Sequence, residues 1–190
     1  NTAFSTYLNG AALADVPTDA LSQLLLNHVV GGALSSNDLT TLVSGYTNTS
    51  ASGPGGNALS LYFDTTNGVS FNGISTVTAA DVVGTNGIIH AVDTVIDLPT
   101  IATFATSNPA LSNLVAALQY ADSGTPTVPY ITTVSDATAG PFTVFAPTDA
   151  AFGSLLTELN ATALTDLDTA TVDAVLTYHI VGANVQSSML

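Results

Sequence analysis

The ten residues TVFAPTDAAF, Thr143–Phe152, predict a strand, a turn and the start of a helix in one short stretch. The first four alternate between two sets of side chains, which is typical of a strand half-buried in a sheet. Pro147 has no N–H to donate and therefore ends the strand. Either Thr148 or Asp149 can then cap the helix that follows.

Parts of this region occur twice in the chain. Residues NTAF, 1–4, match DAAF, 149–152, at an offset of 148 positions, and residues NHVVG, 27–31, match YHIVG, 178–182, at an offset of 151. A period this long is far beyond that of solenoid repeats and indicates a tandem array of whole domains. The TVFAPT strand has no counterpart before residue 1 of this sequence.

The remaining patterns predict helices alternating with short strands. Asp15-Val16-Pro17-Thr18 predicts a helix start, followed by an apolar stripe at helical spacing, and Asn108-Pro109 predicts another. Hairpin turns are indicated at the pairs Asn67-Gly68, Asn72-Gly73 and Asn86-Gly87. We expect strands at Leu39–Val43, Leu59–Phe63, Val69–Ile74 and Tyr130–Val134, and an exposed loop at Thr47–Asn57.

The composition excludes several classes of partner. The chain has 46% hydrophobic residues, enough for a packed core, but no Lys or Arg against 14 acidic residues. Nucleic-acid binding is excluded because nothing can neutralise phosphates, and an anionic membrane surface would repel the chain. A net charge of −14 with no Lys or Arg favours an extracellular setting. In such a setting, salt would screen the repulsion between carboxylates, or the lack of basic residues would deny trypsin-like proteases a cleavage site. The absence of cysteine is compatible with a bacterial surface.

Two stretches resemble the signatures of the fasciclin domain, an extracellular adhesion module. The decapeptide Thr143–Phe152 resembles the first signature, and Gly87–Pro99 resembles the closing one, with Thr94 where the family commonly has a basic residue. The resemblance implies an α+β fold in which a small helical bundle packs against a wedge of mostly antiparallel strands. It also implies two partial copies, with 1–100 lacking its N-terminal part and 101–190 lacking its C-terminal part.

The resemblance also implies a candidate binding site. In the family, a Tyr-His pair with flanking aliphatic residues is the adhesion motif, and Tyr178, His179 and Ile180 match it. The first copy matches only through His28 and Val29, because Asn27 replaces the tyrosine. The alternative for each histidine, including His90, is a structural role in which the ring bonds a backbone carbonyl or a nearby Asp or Thr.

No enzyme chemistry is indicated. The chain lacks a Gly-x-Ser-x-Gly elbow, a cysteine nucleophile, and any Lys or Arg that would stabilise an oxyanion or phosphate. The densest acidic cluster is Asp166, Asp168 and Asp173, a partial match to a calcium loop that lacks its Gly and terminal Glu. Its alternative interpretation is helix capping. We expect no cofactor, although calcium at contacts between chains is compatible with the excess of carboxylates.

Three functions remain open on these grounds. The first is a secreted or surface-exposed adhesive repeat protein that contacts cell-surface proteins, matrix or copies of itself. If the contact between copies repeats, the copies form a filament. The second is a module that binds a small apolar ligand such as a carotenoid, as some members of the family do. The third is a passive spacer, which predicts no partner.

Overall fold

The computed structural model describes residues 2–189, so Asn1, the first residue of the NTAF match, and Leu190 lie outside the described residues. The chain divides into two compact units, Asn1–Pro99 and Thr100–Leu190, called unit 1 and unit 2 below. None of the helices described is both long and apolar enough to cross a bilayer.

Unit 1 consists of short helices followed by a sheet. Its helices are α1 (Thr2–Leu8), α2 (Thr18–Leu26) and α3 (Ser36–Leu42). Its strands are β1 (Ser44–Ser52), β2 (Ala58–Asp64), β3 (Ser70–Phe71), β4 (Ser75–Gly84) and β5 (Gly87–Val92).

The sheet of unit 1 has five strands in the order of the sequence, β1-β2-β3-β4-β5, and every neighbouring pair is antiparallel. The predicted turn at Asn72-Gly73 joins β3 to β4, and both residues have positive φ, which Asn and Gly tolerate best. The core lies between α3 and the sheet, where five buried side chains form one cluster: Leu39, Leu61, Phe63, Phe71 and Ile96.

Four predictions for unit 1 are wrong. The strand expected at Val69–Ile74 covers only Ser70–Phe71, because the turn at Asn72-Gly73 interrupts it. Leu39–Val43 belongs to helix α3 and its C-cap, because Ser35 and Asp38 form a capping box that starts a helix just before it. Most of the predicted loop Thr47–Asn57 is strand β1, whose polar residues alternate between exposed and covered positions. Asp15 closes a short 3-10 turn by accepting the N–H of Ala12 at 3.1 Å and does not cap α2.

Unit 2 is mostly helical. Its elements are α4 (Ile101–Ser107), α5 (Ser112–Asp122), α6 (Tyr130–Ser135), β6 (Thr143–Val144), α7 (Asp149–Glu158), α8 (Thr169–Tyr178) and β7 (Ile180–Val181). Strands β6 and β7 form a two-stranded antiparallel sheet. The core of unit 2 joins α5 to α6, α7 and α8 through eight buried residues: Leu114, Ala117, Leu118, Ala121, Tyr130, Phe152, Val172 and Leu176.

The decapeptide Thr143–Phe152 folds as a strand, a turn and a helix, although the strand covers only Thr143–Val144. The choice between two caps is resolved, since the Thr148 hydroxyl accepts the N–H of Ala151 and Asp149 is the first residue of α7. The strand predicted at Tyr130–Val134 is wrong, because those residues form α6. The predicted α+β class is confirmed by the antiparallel sheet and the surrounding helices.

Candidate functional site

Tyr178 and His179 lie where helix α8 gives way to strand β7. Tyr178 is the last residue of the helix and its side chain is 89% exposed. His179 Nδ1 lies 2.8 Å from the carbonyl oxygen of Val175, so Nδ1 carries the proton and donates it. The two rings meet edge to face with their centroids 6.2 Å apart. The histidine is therefore anchored to its own helix while the tyrosine faces solvent.

The decapeptide positions this pair directly. Val144 of β6 lies opposite Ile180 of β7, and the N–H of Phe145 donates to the His179 carbonyl at 2.9 Å. Ile180 is partly buried against the core of unit 2. The first signature stretch thus holds the segment that follows Tyr178, which fixes the backbone that carries the exposed ring.

His28, the counterpart of His179 in unit 1, is held at both ring nitrogens. Its Nδ1 donates to the Leu24 carbonyl at 2.8 Å, and its Nε2 accepts the N–H of Ile96 at 2.9 Å. The ring therefore links helix α2 to the segment that follows β5. These bonds match the structural alternative stated for the histidine, although the residue as a whole is exposed.

Asn27 performs a structural role that the sequence analysis did not foresee. It is fully buried, and its amide N–H groups donate to the carbonyls of Ile96 at 3.2 Å and Asp97 at 2.9 Å. Its amide oxygen accepts the hydroxyl of Thr49 at 3.2 Å. The sequence contained one signal for this role: the first copy of the repeat has Asn27 where the second copy has Tyr178.

Val29 stands beside an apolar groove in unit 1. Its side chain is half exposed, and its carbonyl accepts the N–H of Ser50 at 2.8 Å, so it adjoins strand β1. The groove has a volume of about 340 Å³ and is lined mainly by aliphatic and aromatic side chains, with two histidines at its wall. Its lining includes His28, Val29, Leu39, Phe71, Ile89 and His90.

His90 is also anchored, because its Nε2 donates to the Leu34 carbonyl at 2.8 Å. Its Nδ1 accepts the N–H of Asp81 at 3.4 Å. The Asp81 carboxylate in turn accepts the hydroxyl and the N–H of Ser36, and the hydroxyl contact is the main reason that the pKa of Asp81 lies below its usual value. This network ties α3 to the β4–β5 hairpin.

The three acidic residues considered for calcium are not brought together. Asp166 accepts the N–H groups of Thr162 and Ala163 at 2.8 and 2.9 Å, and Asp168 caps α8 by accepting the N–H of Thr171 at 2.7 Å. Asp173 instead binds α6, as its carboxylate accepts the Tyr130 hydroxyl at 2.7 Å.

Hydrogen bonds from neighbouring hydroxyl or N–H groups lower the pKa of all three carboxyls. Within residues 2–189 no group of three acidic, histidine or cysteine side chains is arranged to hold a metal ion. Asp166 and Asp168 thus act in a turn and a helix cap of unit 2, and Asp173 links α8 to α6. Calcium at contacts between chains stays a prediction.

Comparisons with known proteins agree with the repeat. The sequence model of the fasciclin domain matches residues 1–99 and again residues 109–190. Among solved structures, the chain is similar to a FAS1 domain pair from the insect cell adhesion molecule fasciclin I, with a TM-score of 0.54 and 20% sequence identity. That match covers 100% of this chain but only 65% of the insect chain, and at this identity it concerns the fold alone. No curated protein matches the sequence.

Proposed function

The chain belongs to the fasciclin domain family, and from this premise we propose that it is an extracellular structural and adhesive protein. Its partners in this proposal are proteins of a cell surface or matrix, or copies of the same chain. Fasciclin domains are commonly involved in cell adhesion, which supports this proposal.

The observation that carries the proposal is the position of Tyr178. Its ring is 89% exposed, yet the backbone on both sides is fixed by helix α8 and by the pairing of β7 with β6. An amphipathic ring held in place loses little conformational entropy when a partner covers it, and tyrosine is enriched among residues that dominate binding energy. Tyr178, His179 and Ile180 therefore form the proposed contact, with His28 and Val29 as the counterpart in unit 1.

The charge of the chain narrows the class of partner. A net charge of −14 with no Lys or Arg raises the encounter rate with basic protein surfaces and lowers it with acidic ones. The proposed partner therefore presents Lys or Arg around the pocket that takes Tyr178. Attachment should weaken as salt is added, because the charges of the chain are screened.

The test is an attachment assay with beads that carry the purified chain. We expect Tyr178→Ala to reduce attachment to cells or matrix about tenfold, the usual effect of removing a central aromatic contact. Tyr46→Ala is the matched control, since Tyr46 is a half-exposed tyrosine on strand β1 of unit 1. Equal attachment by both variants would contradict the role of Tyr178, and no attachment by the wild-type chain would favour a passive spacer.

A second candidate function rests on the groove of unit 1. Its volume of about 340 Å³ lies near the lower end of the range for small-molecule sites, and its lining is mostly apolar. Under this proposal a small apolar molecule lies between α3, β1 and β5. Native protein that is colourless and releases nothing into organic solvent would contradict it.

A further inference from the structure

Four asparagines of the chain are followed directly by glycine: Asn9, Asn67, Asn72 and Asn86. Asparagine is a thermolabile residue, because the peptide nitrogen that follows it can attack its side-chain carbonyl carbon and displace ammonia. Glycine in the next position hinders that nitrogen least, since it has no Cβ. The four sites share the same pair of reacting residues, so differences between them come from the fold.

Backbone conformation separates the four sites into two pairs. Asn9 and Asn72 have φ values of 46° and 49°, in the left-handed region, whereas neither Asn67 nor Asn86 has a positive φ. In the left-handed region ψ is about +47°, which places the following nitrogen nearly opposite the Cβ across the Cα–C bond. Ring closure needs these two atoms on the same side, so Asn9 and Asn72 must leave their turn conformation before they can react.

Asn72 is protected by burial as well. The residue is 3% exposed, its Nδ2 is buried, and its Oδ1 accepts the N–H of Tyr62 at 3.0 Å. Its own N–H donates to the Tyr62 carbonyl at 2.9 Å. Reaction at Asn72 therefore requires the sheet to open between β2 and β3.

Asn86 lies in the opposite environment, at the tip of the β4–β5 hairpin. Thr85 and Asn86 form the turn between the paired residues Gly84 and Gly87, and both turn residues are exposed. A Cβ built on Gly87 would meet no atom within 4 Å, so the space around the attacking nitrogen is open. Asn67 is likewise exposed, in the loop between β2 and β3.

We propose that the folded chain modifies itself at Asn86 and Asn67 and spares Asn9 and Asn72. At Asn86 the Gly87 nitrogen bonds to Cγ while the Cγ–Nδ2 bond breaks, and the amide leaves as ammonia with the proton of the Gly87 nitrogen. Water then adds to either carbonyl of the cyclic imide and breaks one C–N bond. The products are aspartate and isoaspartate, and Asn67 reacts in the same way. This inference is independent of the proposed adhesive function.

The modification changes both the charge and the turn. Each event replaces a neutral amide by a carboxylate in a chain that already carries a net charge of −14 and has no Lys or Arg. Isoaspartate also lengthens the backbone of the turn, which disturbs the pairing of Gly84 with Gly87 and of Val83 with Ile88. We therefore expect faster hydrogen exchange near the hairpin tip in modified chains.

Incubation of the whole chain at mildly alkaline pH tests the proposal. Peptides are produced with pepsin in acid, because trypsin finds no Lys or Arg, and the products are measured by chromatography with mass spectrometry. We expect product first at Asn86 and Asn67, with Asn72 at least about a hundredfold slower than Asn86 because it reacts only from opened molecules. A rate at Asn9 or Asn72 equal to that at Asn86 would overturn the proposal.

The same incubation in concentrated urea is the control for the role of the fold. Once the chain is unfolded, the four sites should react at similar rates, since each consists of the same two residues. If Asn72 stays slow in urea, the neighbouring sequence explains the contrast and the protection assigned to the fold is refuted.

Gly87→Ala tests the attacking nitrogen with an internal reference. The added Cβ enters open space and Gly87 has no positive φ, so the hairpin is retained while the nitrogen becomes more hindered. We expect the product at Asn86 to be lost and the product at Asn67 to be unchanged in the same molecules. Gly68 keeps its glycine in this design because its φ is +91°. Undiminished product at Asn86 in Gly87→Ala would refute attack by this nitrogen.

Discussion

At the scale of single residues, the repeat places Asn27 and Tyr178 at equivalent positions with opposite environments. Asn27 is fully buried and bonds two carbonyls and a hydroxyl, whereas Tyr178 is almost fully exposed. Substitution at the two sites therefore separates a structural role from a surface role in one chain.

We expect Asn27→Ala to lower the free energy of unfolding by about 2–3 kcal/mol, because it removes three hydrogen bonds and leaves the buried carbonyl of Ile96 without its amide donor. Tyr178→Ala should change it by less than about 0.5 kcal/mol, as is usual for exposed side chains. Urea denaturation followed by circular dichroism measures both. An unchanged midpoint for Asn27→Ala would mean that water replaces the amide.

Tyr130 gives the chain a stability loss at alkaline pH. The pKa of its hydroxyl is raised to about 12, mainly by burial and also by the hydrogen bond to Asp173, while the hydrogen bond with Thr177 acts in the opposite direction. The folded state therefore favours the neutral phenol more than the unfolded state does. This contribution is complete below the ordinary pKa of 10.0 and is lost as the pH rises through the folded value.

We expect the free energy of unfolding to fall by about 2–3 kcal/mol between pH 10 and pH 12 on account of this residue. Tyr130→Phe removes the titrating group, so its stability should fall less steeply across the same window while being lower near neutral pH. Denaturation series at several pH values provide the comparison. Parallel curves for the two proteins would assign the alkaline loss to other tyrosines.

At the scale of elements, helix α5 organises unit 2 through two small residues. Ala117 and Ala121 are fully buried and stand on the face that meets α6, α7 and α8. Small side chains at these positions allow the helices to approach closely, and a larger one must displace its neighbours.

We expect Ala117→Leu to destabilise the chain by about 1–3 kcal/mol through overpacking. The neighbouring Ala116 is exposed, and Ala116→Leu should be nearly neutral because both residues favour helix. Thermal unfolding of the two variants is the measurement. If both lose the same stability, the contact of α5 with its neighbours is looser than the structure indicates.

The elements predicted correctly from sequence are those with a local physical signal. Asn108-Pro109 and the apolar stripe after it predicted helix α5, and the pair Asn72-Gly73 predicted the turn between β3 and β4. Strand β1 could not be predicted from its polar sequence, because its strand character comes from pairing with β2. Helix α6 was missed for a similar reason, since β-branched residues form it where Asp122 accepts the N–H groups of Tyr130 and Ile131.

For the candidate site, the repeat supplied the residues but not their surroundings. It singled out Tyr178 and both histidines, yet only the structure shows that His28 links α2 to the segment after β5 and that His179 bonds the Val175 carbonyl of its own helix. Likewise, the apolar stripe of α2 was predicted, but only the structure shows that Leu24 is buried whereas the adjacent Leu25 is 49% exposed. Such contrasts depend on tertiary neighbours that no local pattern records.

At the scale of the whole molecule, the absence of Lys and Arg removes the usual compensation of surface charge. At Asp38, Asp64 and Asp136, neighbouring hydroxyl and N–H donors stabilise the carboxylate and lower its pKa. Repulsion among 14 acidic groups therefore acts against the compact state at low ionic strength.

Salt should consequently stabilise the chain. Raising NaCl from about 0.01 M to about 1 M shortens the screening length from about 30 Å to about 3 Å, and we expect the melting temperature to rise steadily, since no Lys or Arg ion pair exists to be weakened. A falling melting temperature would contradict this account. Calcium chloride at the same ionic strength distinguishes charge screening from calcium binding. If calcium binds at contacts between chains, the melting temperature should rise further than in NaCl, and the additional rise should depend on protein concentration. Equal midpoints in the two salts would leave screening as the whole effect and would contradict calcium binding at contacts between chains.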